Sequence, residues 1–575
     1  MPTSTHSHSY NFGVRAKGGR HGVVLTQPQV VRLMLDWVGY VQNRDLLGLR
    51  FLEPSCGQGA FVLPAVERLL ASARIHKQNP AELGNSLLAV DVDPQQIEIA
   101  REKTLALLLE NGVSVHTAQR LVSQWFLCDD FLLSPIAQGF DVVVGNPPYV
   151  RYEQIPKKLH KEYRARFSCL YDRADLYVAF IERALSHLST RGVLAFICAD
   201  RWTRNRYGAP LRKLLSEQYV IRGYLDLSQR SPFDAEVSAY PSIFSVAQRT
   251  ASNNITAPVP VIALPTVSEK ECEQAMELLR SPCQSASETE SDTSSHGSPT
   301  LHLHPTWFQG EEPWVFGDER RLTLLRKLEA EHPLLEECGN IRVGIGVATG
   351  NDSLYILSEE DAKQIESDRL VPLILRKDLD KLRDGKIENG RHFVINTFAE
   401  NGQPIPLSSY PLLHSYFQKH EADIRKRHVA RRNPNAWFRT IDRVYPELQK
   451  TPKLLIPDIA NFLQVVFDPG HHYPHHNLYH ITATDVDLEV LGGLLSSHLA
   501  LLFISFYAVQ MRGGAFRFQA QYLRKIRIPK PATLSSKLKE DLRQAFRTRD
   551  LTTLDKLAEE AYRIETMPPI AYKRV

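Results

Sequence analysis

Phe51-Leu52-Glu53-Pro54-Ser55-Cys56-Gly57-Gln58-Gly59-Ala60-Phe61 reads as a short strand, a tight glycine turn and the start of a helix. Two glycines let backbone approach a ligand closely at the carboxyl edge of a first strand, which is where α/β proteins bind nucleotides. The next apolar run, Leu87-Leu88-Ala89-Val90-Asp91-Val92-Asp93-Pro94, ends in acids. A carboxylate there can accept both hydroxyls of a ribose, and Asp91 is the candidate. Working outward, β-branched runs at Leu87–Val90, Val142–Val144, Val193–Ile197 and Ile243–Val246 alternate with amphipathic helical stretches at 27–40, 60–73, 95–110 and 173–189. The alternation predicts a Rossmann-like, doubly wound α/β sheet. Gly57 and Asp91 stand further apart than the roughly 20 residues of dinucleotide binders, and 75–86 reads as an inserted loop that accounts for it.

The glycine turn lacks both the third glycine of the dinucleotide fingerprint and the Gly-Lys-Ser/Thr of a P-loop, so NAD and ATP fit poorly. A phosphate-free nucleoside such as S-adenosylmethionine fits better. A third strand end, Phe126-Leu127-Cys128-Asp129-Asp130-Phe131, adds a carboxylate and an aromatic suited to an adenine amine and ring face. A solvated strand end is the plainer reading of that pair.

Asp141-Val142-Val143-Val144-Gly145-Asn146-Pro147-Pro148-Tyr149 is a buried strand that stops abruptly at Asn-Pro-Pro-Tyr. Two prolines fix φ and remove two donors, so the loop presents carbonyl acceptors in a rigid array. An exocyclic aromatic amine is a poor nucleophile because its lone pair is delocalised into the ring. Accepting its two hydrogens, on the Asn146 side-chain oxygen and the Pro147 carbonyl, localises that pair and aims it at a methyl sulfonium. No side chain need remove a proton beforehand, because the amine becomes acidic only after methyl transfer. Tyr149 can stack on the base.

With these motifs together the sequence resembles the TaqI-type, gamma-class DNA adenine methyltransferases of restriction-modification systems, over nearly the whole chain beyond residue 20. Gly22-Val23-Val24-Leu25-Thr26-Gln27-Pro28 is similar to the family's leading cofactor motif, in which Thr26 and Pro28 close over the methionine end. Glu53, Pro54, Gly57 and Gly59 match the first sheet motif, Asp91 the ribose acid, Asp130 and Phe131 the adenine-binding pair, and Asn146, Pro147, Pro148 and Tyr149 the catalytic loop, with Asn146 also touching the cofactor. The ribose acid is an aspartate where the family often has glutamate. The resemblance implies S-adenosylmethionine as cofactor, no metal, and an adenine flipped out of double-stranded DNA. A second stacking ring is then useful, and Ser231-Pro232-Phe233-Asp234-Ala235-Glu236-Val237-Ser238-Ala239 resembles the family segment that supplies it. Phe233 is either that ring or a core phenylalanine.

Residues 281–304, SPCQSASETESDTSSHGSPTLHLH, are polar and nearly free of large apolar side chains, which predicts disorder. The chain thus divides into a flexible tail (1–20), a catalytic domain (21–250), a partly disordered linker (251–304) and a second, mixed α/β domain (305–575). In the last, a glycine-rich strand region at 341–357 precedes helices near 409–427, 487–508 and 535–565. This half resembles the family's target-recognition domain in Arg342-Val343-Gly344-Ile345-Gly346-Val347-Ala348-Thr349-Gly350-Asn351-Asp352, Leu375-Arg376-Lys377-Asp378-Leu379 and Asn435-Ala436-Trp437-Phe438. Net charge is only +4, too mild to identify a nucleic-acid binder, but basic residues bunch at 425–443 and 512–527. Arg425, Arg427, Arg431, Arg432, Arg439, Arg512 and Arg517 are the candidates for phosphate and base contacts, with a solvated helix face as the alternative for the first cluster.

Seven cysteines, widely spread and without a CxxC pair, argue against a disulfide framework and a cysteine-built zinc site. His471, His472, His475, His476 and His480 raise zinc again, but with no cysteine nearby a surface loop is the reading adopted. No signal-peptide core and no apolar window of bilayer length is present. The expectation is a bacterial or archaeal cytoplasmic monomer, without membrane contact, that works beside a separate restriction endonuclease. Enzymes that methylate glutamine amides of release factors or adenines of ribosomal RNA share the Asn-Pro-Pro-Tyr loop; they tend to lack a large C-terminal domain. A catalytically silent DNA-binding protein of the same fold is the rival from another class.

Overall fold

A computed structural model describes residues 26–227, 241–250, 258–280, 298–304, 307–316, 319–379, 392–508 and 515–565. The chain divides into two compact units, Met1–Phe316 and Gly317–Val575.

The first unit is built on a nine-stranded sheet of order β3-β2-β1-β4-β5-β7-β6-β8-β9. Its strands are β1 (Phe51–Glu53), β2 (Leu87–Asp91), β3 (Phe126–Cys128), β4 (Phe140–Gly145), β5 (Leu188–Ala199), β6 (Tyr219–Asp226), β7 (Pro241–Gln248), β8 (Val259–Ala263) and β9 (Thr300–His304). β3, β2, β1, β4 and β5 run parallel, and β7 inserts antiparallel between β5 and β6. The strand order therefore reverses at β1, whose two neighbours are β2 and β4, and ligands of doubly wound sheets bind outside the carboxyl ends at such a switch point. β1 is buried at every position and β4 at every position but Asp141, because both sheet faces are covered.

Helices α1 (Pro28–Trp37), α2 (Val62–Ile75), α3 (Pro94–Glu110), α4 (Val115–Trp125), α5 (Lys157–Arg166), α6 (Tyr177–Ser186), α7 (Ala209–Gln218) and α8 (Glu269–Arg280) complete the unit. Asp93 caps α3 by accepting from the amides of Gln95 and Gln96, and Pro94 follows as its first helical residue, where no donor is lost. The insertion expected at 75–86 is the end of α2 and a 3-10 turn, Pro80–Asn85, pinned where the Trp125 indole donates to the Leu83 carbonyl (3.0 Å).

The described part of the segment read as linker supplies two strands and a helix to this unit. β8 pairs parallel with β6, β9 pairs antiparallel with β8, and α8 lies between them in sequence. Composition misled because Thr300–His304 alternates threonine and histidine with leucine, and its edge position asks for only part of each side chain to be buried. The disorder expected at 281–297 and the tail at 1–20 lie outside the described residues. α8 in turn covers α1: Arg32 pairs with Glu269 (2.6 Å), the Gln29 amide donates to the Val267 carbonyl (2.9 Å), and Val30, Val31 and Leu35 share one core with Val267, Cys272, Ala275 and Met276.

The second unit holds two four-stranded sheets. One has the order β10-β18-β14-β16, from Ile341–Ile345, Leu478–Ala483, Lys453–Pro457 and Val466–Asp468; the other is β11-β13-β12-β17, from Ile356–Ser358, His392–Ile395, Leu370–Ile374 and Tyr473–Pro474. A short ribbon pairs β15 (Ile459–Ala460) with β19 (Phe516–Arg517). The helix expected at 409–427 breaks at His420 into Pro411–Lys419 and Glu421–Arg425. That at 487–508 breaks into Leu488–Leu495 and His498–Tyr507, bent by 63°. Ser497 starts the second piece by accepting from the Ala500 amide while donating to the Leu494 carbonyl (2.6 Å), so serine chemistry divides an apolar run that periodicity alone would continue. Both pieces are almost wholly buried. Among the described residues no single helix is long and apolar enough to cross a membrane.

Candidate active site

Four adjacent strands deliver acids and amides to one edge of the first unit. Glu53 ends β1, Asp91 ends β2, Asp130 follows β3 by two residues, and Asn146 follows β4 directly.

The glycine turn after β1 is set by backbone bonds. The Cys56 amide donates to the Val90 carbonyl (2.9 Å) and the Gly59 amide to the Cys56 carbonyl (2.8 Å). Gly57 has φ +50°, a conformation that costs a residue with a Cβ. Its amide donates to Asp91 Oδ2 (2.8 Å), and the Asp93 amide donates to Oδ1 (2.9 Å). The carboxylate is thereby held between turn and strand, with lone pairs left for a diol. Gly145, the last residue of β4, lets the ends of β1 and β4 close together: a Cβ there would meet Pro54 Cδ at 3.4 Å and Glu53 Cγ at 3.7 Å.

Glu53 is 1% exposed and its Oε2 has no hydrogen-bond partner among the described residues. Burial, with Asp91 beside it, holds its carboxyl well above the ordinary range. Burial also raises Asp91. Among the described residues no ion pair neutralises either acid. This edge of the sheet is therefore short of positive charge, which suits a cationic nucleoside and opposes a phosphorylated one.

Asp130 is raised by burial too, an effect offset in part by the Tyr163 hydroxyl, which donates to its Oδ2 (2.6 Å) while the Leu132 amide donates to Oδ1 (2.9 Å). Phe131 is 2% exposed: it packs against Phe180 (centroids 5.3 Å apart), with the Arg183 guanidinium 5.3 Å from its ring centre. The pair read from sequence is thus divided, an acid at the strand end and a ring in the core behind it.

The loop after β4 is fixed at both ends of Asn146. Its carbonyl accepts from Ser55 Oγ (3.0 Å), and its side-chain nitrogen donates to Thr26 Oγ1 (3.3 Å). With the nitrogen engaged, the amide oxygen is the acceptor end. Thr26 is buried, and Pro28 stands exposed as the first residue of α1. Pro147 is buried and Pro148 half-buried. Tyr149 turns its hydroxyl into the protein, where burial raises its pKa well above the ordinary phenol, and its half-buried ring lies 6.5 Å from that of Tyr177. Tyr177 in turn shares a 2.8 Å hydrogen bond with the Tyr207 hydroxyl. Phe233 lies outside the described residues, as does Arg512.

Sequence reasoning passed over Ser55, Tyr163 and Tyr177. Ser55 stood inside the glycine stretch, between the residues that were chosen; Tyr163 and Tyr177 come from helices after the Asn146–Tyr149 loop, and only the fold brings Tyr163 to Asp130 and Tyr177 to Tyr149.

In the second unit the arginine candidates separate. Arg427 is 9% exposed and donates to the carbonyls of Ile424, Thr349, Trp437 and Arg439 and to the Tyr355 hydroxyl. It is a structural brace and not, as its charge suggested, a DNA contact: charge density along the chain does not report burial. Arg425 pairs with Glu421 (2.6 Å) and lies 4.6 Å from the Trp437 ring centre. Arg439 donates to the carbonyls of Thr440 and Ile441, and Arg517 pairs with Asp458 (2.8 Å). Arg431 and Arg432 end the short helix His428–Arg432 and are exposed.

The sheet order, the antiparallel β7 and the acid-lined carboxyl edge define a class I S-adenosylmethionine-dependent methyltransferase fold. The same fold underlies the type IIL restriction-modification enzyme MmeI, solved in complex with DNA, which superposes with a TM-score of 0.61 at 13% identity over 94% of this chain and 74% of that one. The family model for Eco57I restriction-modification methylase matches residues 85–233. The chain is similar to the type II methyltransferase M.XhoI of Xanthomonas vasicola, 42% identical over 94% of this chain and 97% of that protein. It is 40% identical to M.PaeR7I of Pseudomonas aeruginosa over 94% and 91% of the two chains. It belongs to the type II methyltransferase family of restriction-modification systems.

Proposed function

We propose that this protein transfers a methyl group to the N6 amine of an adenine turned out of double-stranded DNA, as a gamma-class enzyme that marks host DNA against a separate restriction endonuclease. The observation that carries the reading is the doubly anchored Asn146 at the carboxyl end of β4. Relatives with type II methyltransferase names over almost the full chain length support DNA as substrate.

S-adenosylmethionine fits the site because the buried Glu53 and the half-buried Asp91 have no paired cation among the described residues and Gly57 leaves backbone room beside them; when bound it supplies a methyl group on a sulfonium. Asp91 holds the ribose hydroxyls, and Asp130 accepts from the adenine amine. Thr26 and Pro28 cover the methionine end. Asn146 Oδ1 and the Pro147 carbonyl accept the two hydrogens of the target amine, which localises its lone pair along one direction. Tyr149 offers the base a ring held from behind by the protein, with Phe233 as a second face. The unit beginning at Gly317 carries target recognition, with the exposed Arg431 and Arg432 on phosphates. The enzyme acts as a monomer, since transfer to one strand at a time needs no twofold partner.

The test is incubation with radiolabelled S-adenosylmethionine and unmethylated genomic DNA, followed by nucleoside digestion and mapping. Label in N6-methyladenine at one short motif is the expected result. Label confined to cytosine, ribosomal RNA or a release factor overturns it.

A further inference from the structure

We propose that Asp352, His475 and His476 form a binding site for a divalent cation of the zinc type in the second unit. The histidine-rich segment offered no thiolate and no familiar spacing, and the group that completes a set is an aspartate that the fold delivers from a separate loop.

Backbone bonds bring the two loops together. Val347, just beyond β10, pairs with His475 in a parallel bridge; the Val347 amide donates to the Pro474 carbonyl (2.9 Å) and the His476 amide returns to the Val347 carbonyl (3.1 Å). Asp352 then opens the helix Asp352–Tyr355. Thr349 Oγ1 donates to its Oδ1 (2.6 Å), which orients the carboxylate and leaves Oδ2 3.0 Å from His475 Nε2. An outer partner of this kind is what fixes a ligating carboxylate in metal sites.

The donor atoms of the three side chains all lie within 4.8 Å of one another. In a tetrahedral zinc site, with ligands about 2.0–2.1 Å from the metal, neighbouring donors stand about 3.3–3.4 Å apart. The Asp352–His475 pair is already near that spacing. The His476 ring sits 4.1 Å from that of His475, centroid to centroid, and its exposed side chain can rotate to close the rest. Two imidazoles and a carboxylate suit zinc and its neighbours better than magnesium or calcium. Three protein ligands leave a fourth position for water, on the side where Asp352 and His476 are exposed.

The other histidines of the segment are not part of the set. His472 lies 3.5 Å from Asp468, which is itself paired with buried Lys453 (2.9 Å), and the His480 ring packs against Gly344 on the neighbouring strand. The plain alternative is that His475 and Asp352 share a hydrogen bond and nothing more.

The experiment uses the full chain stripped with a chelator, titrated with Co2+ by visible absorption and with Zn2+ by calorimetry. One site per chain is expected, with His476→Ala and Asp352→Asn each weakening it more than tenfold and His471→Ala leaving it unchanged. Because His476 is exposed, metal-free His476→Ala should melt where the metal-free parent does, while zinc raises the melting temperature of the parent alone. Absence of stoichiometric binding, or parental affinity in His476→Ala, overturns the proposal.

Discussion

Thr26 Oγ1 accepts from Asn146 Nδ2 at 3.3 Å, joining the segment that leads into α1 to the loop after β4 across 120 positions. The bond fixes which end of the amide faces outward. Removing the acceptor in Thr26→Val frees the amide to turn. One such hydrogen bond contributes about 1 kcal/mol, so kcat should fall roughly fivefold to tenfold while the Kd for DNA stays within about twofold. Single-turnover kinetics beside a binding titration separates the two; equal losses in both would contradict an orienting role.

Asn146→Ala removes the acceptor itself. Preorganised groups of this kind contribute about 10²–10³ in kcat, so turnover should drop at least that far with cofactor and DNA binding retained. Parental turnover in this variant would refute the mechanism.

Glu53 gives a pH signature. Burial raises its folded pKa above the unfolded value, so between the two the native state holds the extra proton and stability declines as pH rises. The favourable contribution is complete below the unfolded glutamate pKa of about 4.3 and is lost as pH climbs through the folded value. In the cofactor-free protein Glu53→Gln should flatten that decline, raising the melting temperature relative to the parent at neutral pH and not at pH 4. Parallel melting curves for parent and variant across this range would show that Glu53 is not strained by burial.

Arg427 and its neighbours should separate cleanly. Arg427→Ala removes the guanidinium's bonds to four carbonyls and a tyrosine hydroxyl from a buried site, which should lower stability by about 3 kcal/mol. Arg431→Ala with Arg432→Ala should leave the melting temperature unchanged, weaken DNA binding on all sequences, and reduce the salt slope of log K by about 1.8. An unchanged slope would remove these two arginines from the interface.

The sheet and the candidate site at its edge were legible because their signals are local. Glycine turns, strand-end acids and Asn-Pro-Pro-Tyr are each dictated by backbone or chemistry within ten residues, and Glu53, Asp91, Asp130 and Asn146 do arrive at one edge. Where the sequence reading failed, the cause lay in tertiary context. Tyr163 and Ser55 act through partners 33 and 91 positions away, Arg427 is buried by elements that approach it from Thr349 and Trp437, and the leucine–histidine alternation of β9 carries too little apolar surface to be told from a linker by composition.

The packing of α8 over α1 bears on how such enzymes can be recombined. Thr26 is positioned by α1, α1 is anchored through Arg32 and Gln29 to Glu269 and Val267, and α8 is carried between β8 and β9. An exchange of C-terminal halves between relatives that cuts the chain near residue 250 would therefore take away the support of the residue bonded to Asn146, although every motif of the proposed catalytic edge would remain. A crossover beyond Phe316, where the first unit ends, keeps that chain of support intact, and chimeras joined there should retain cofactor binding.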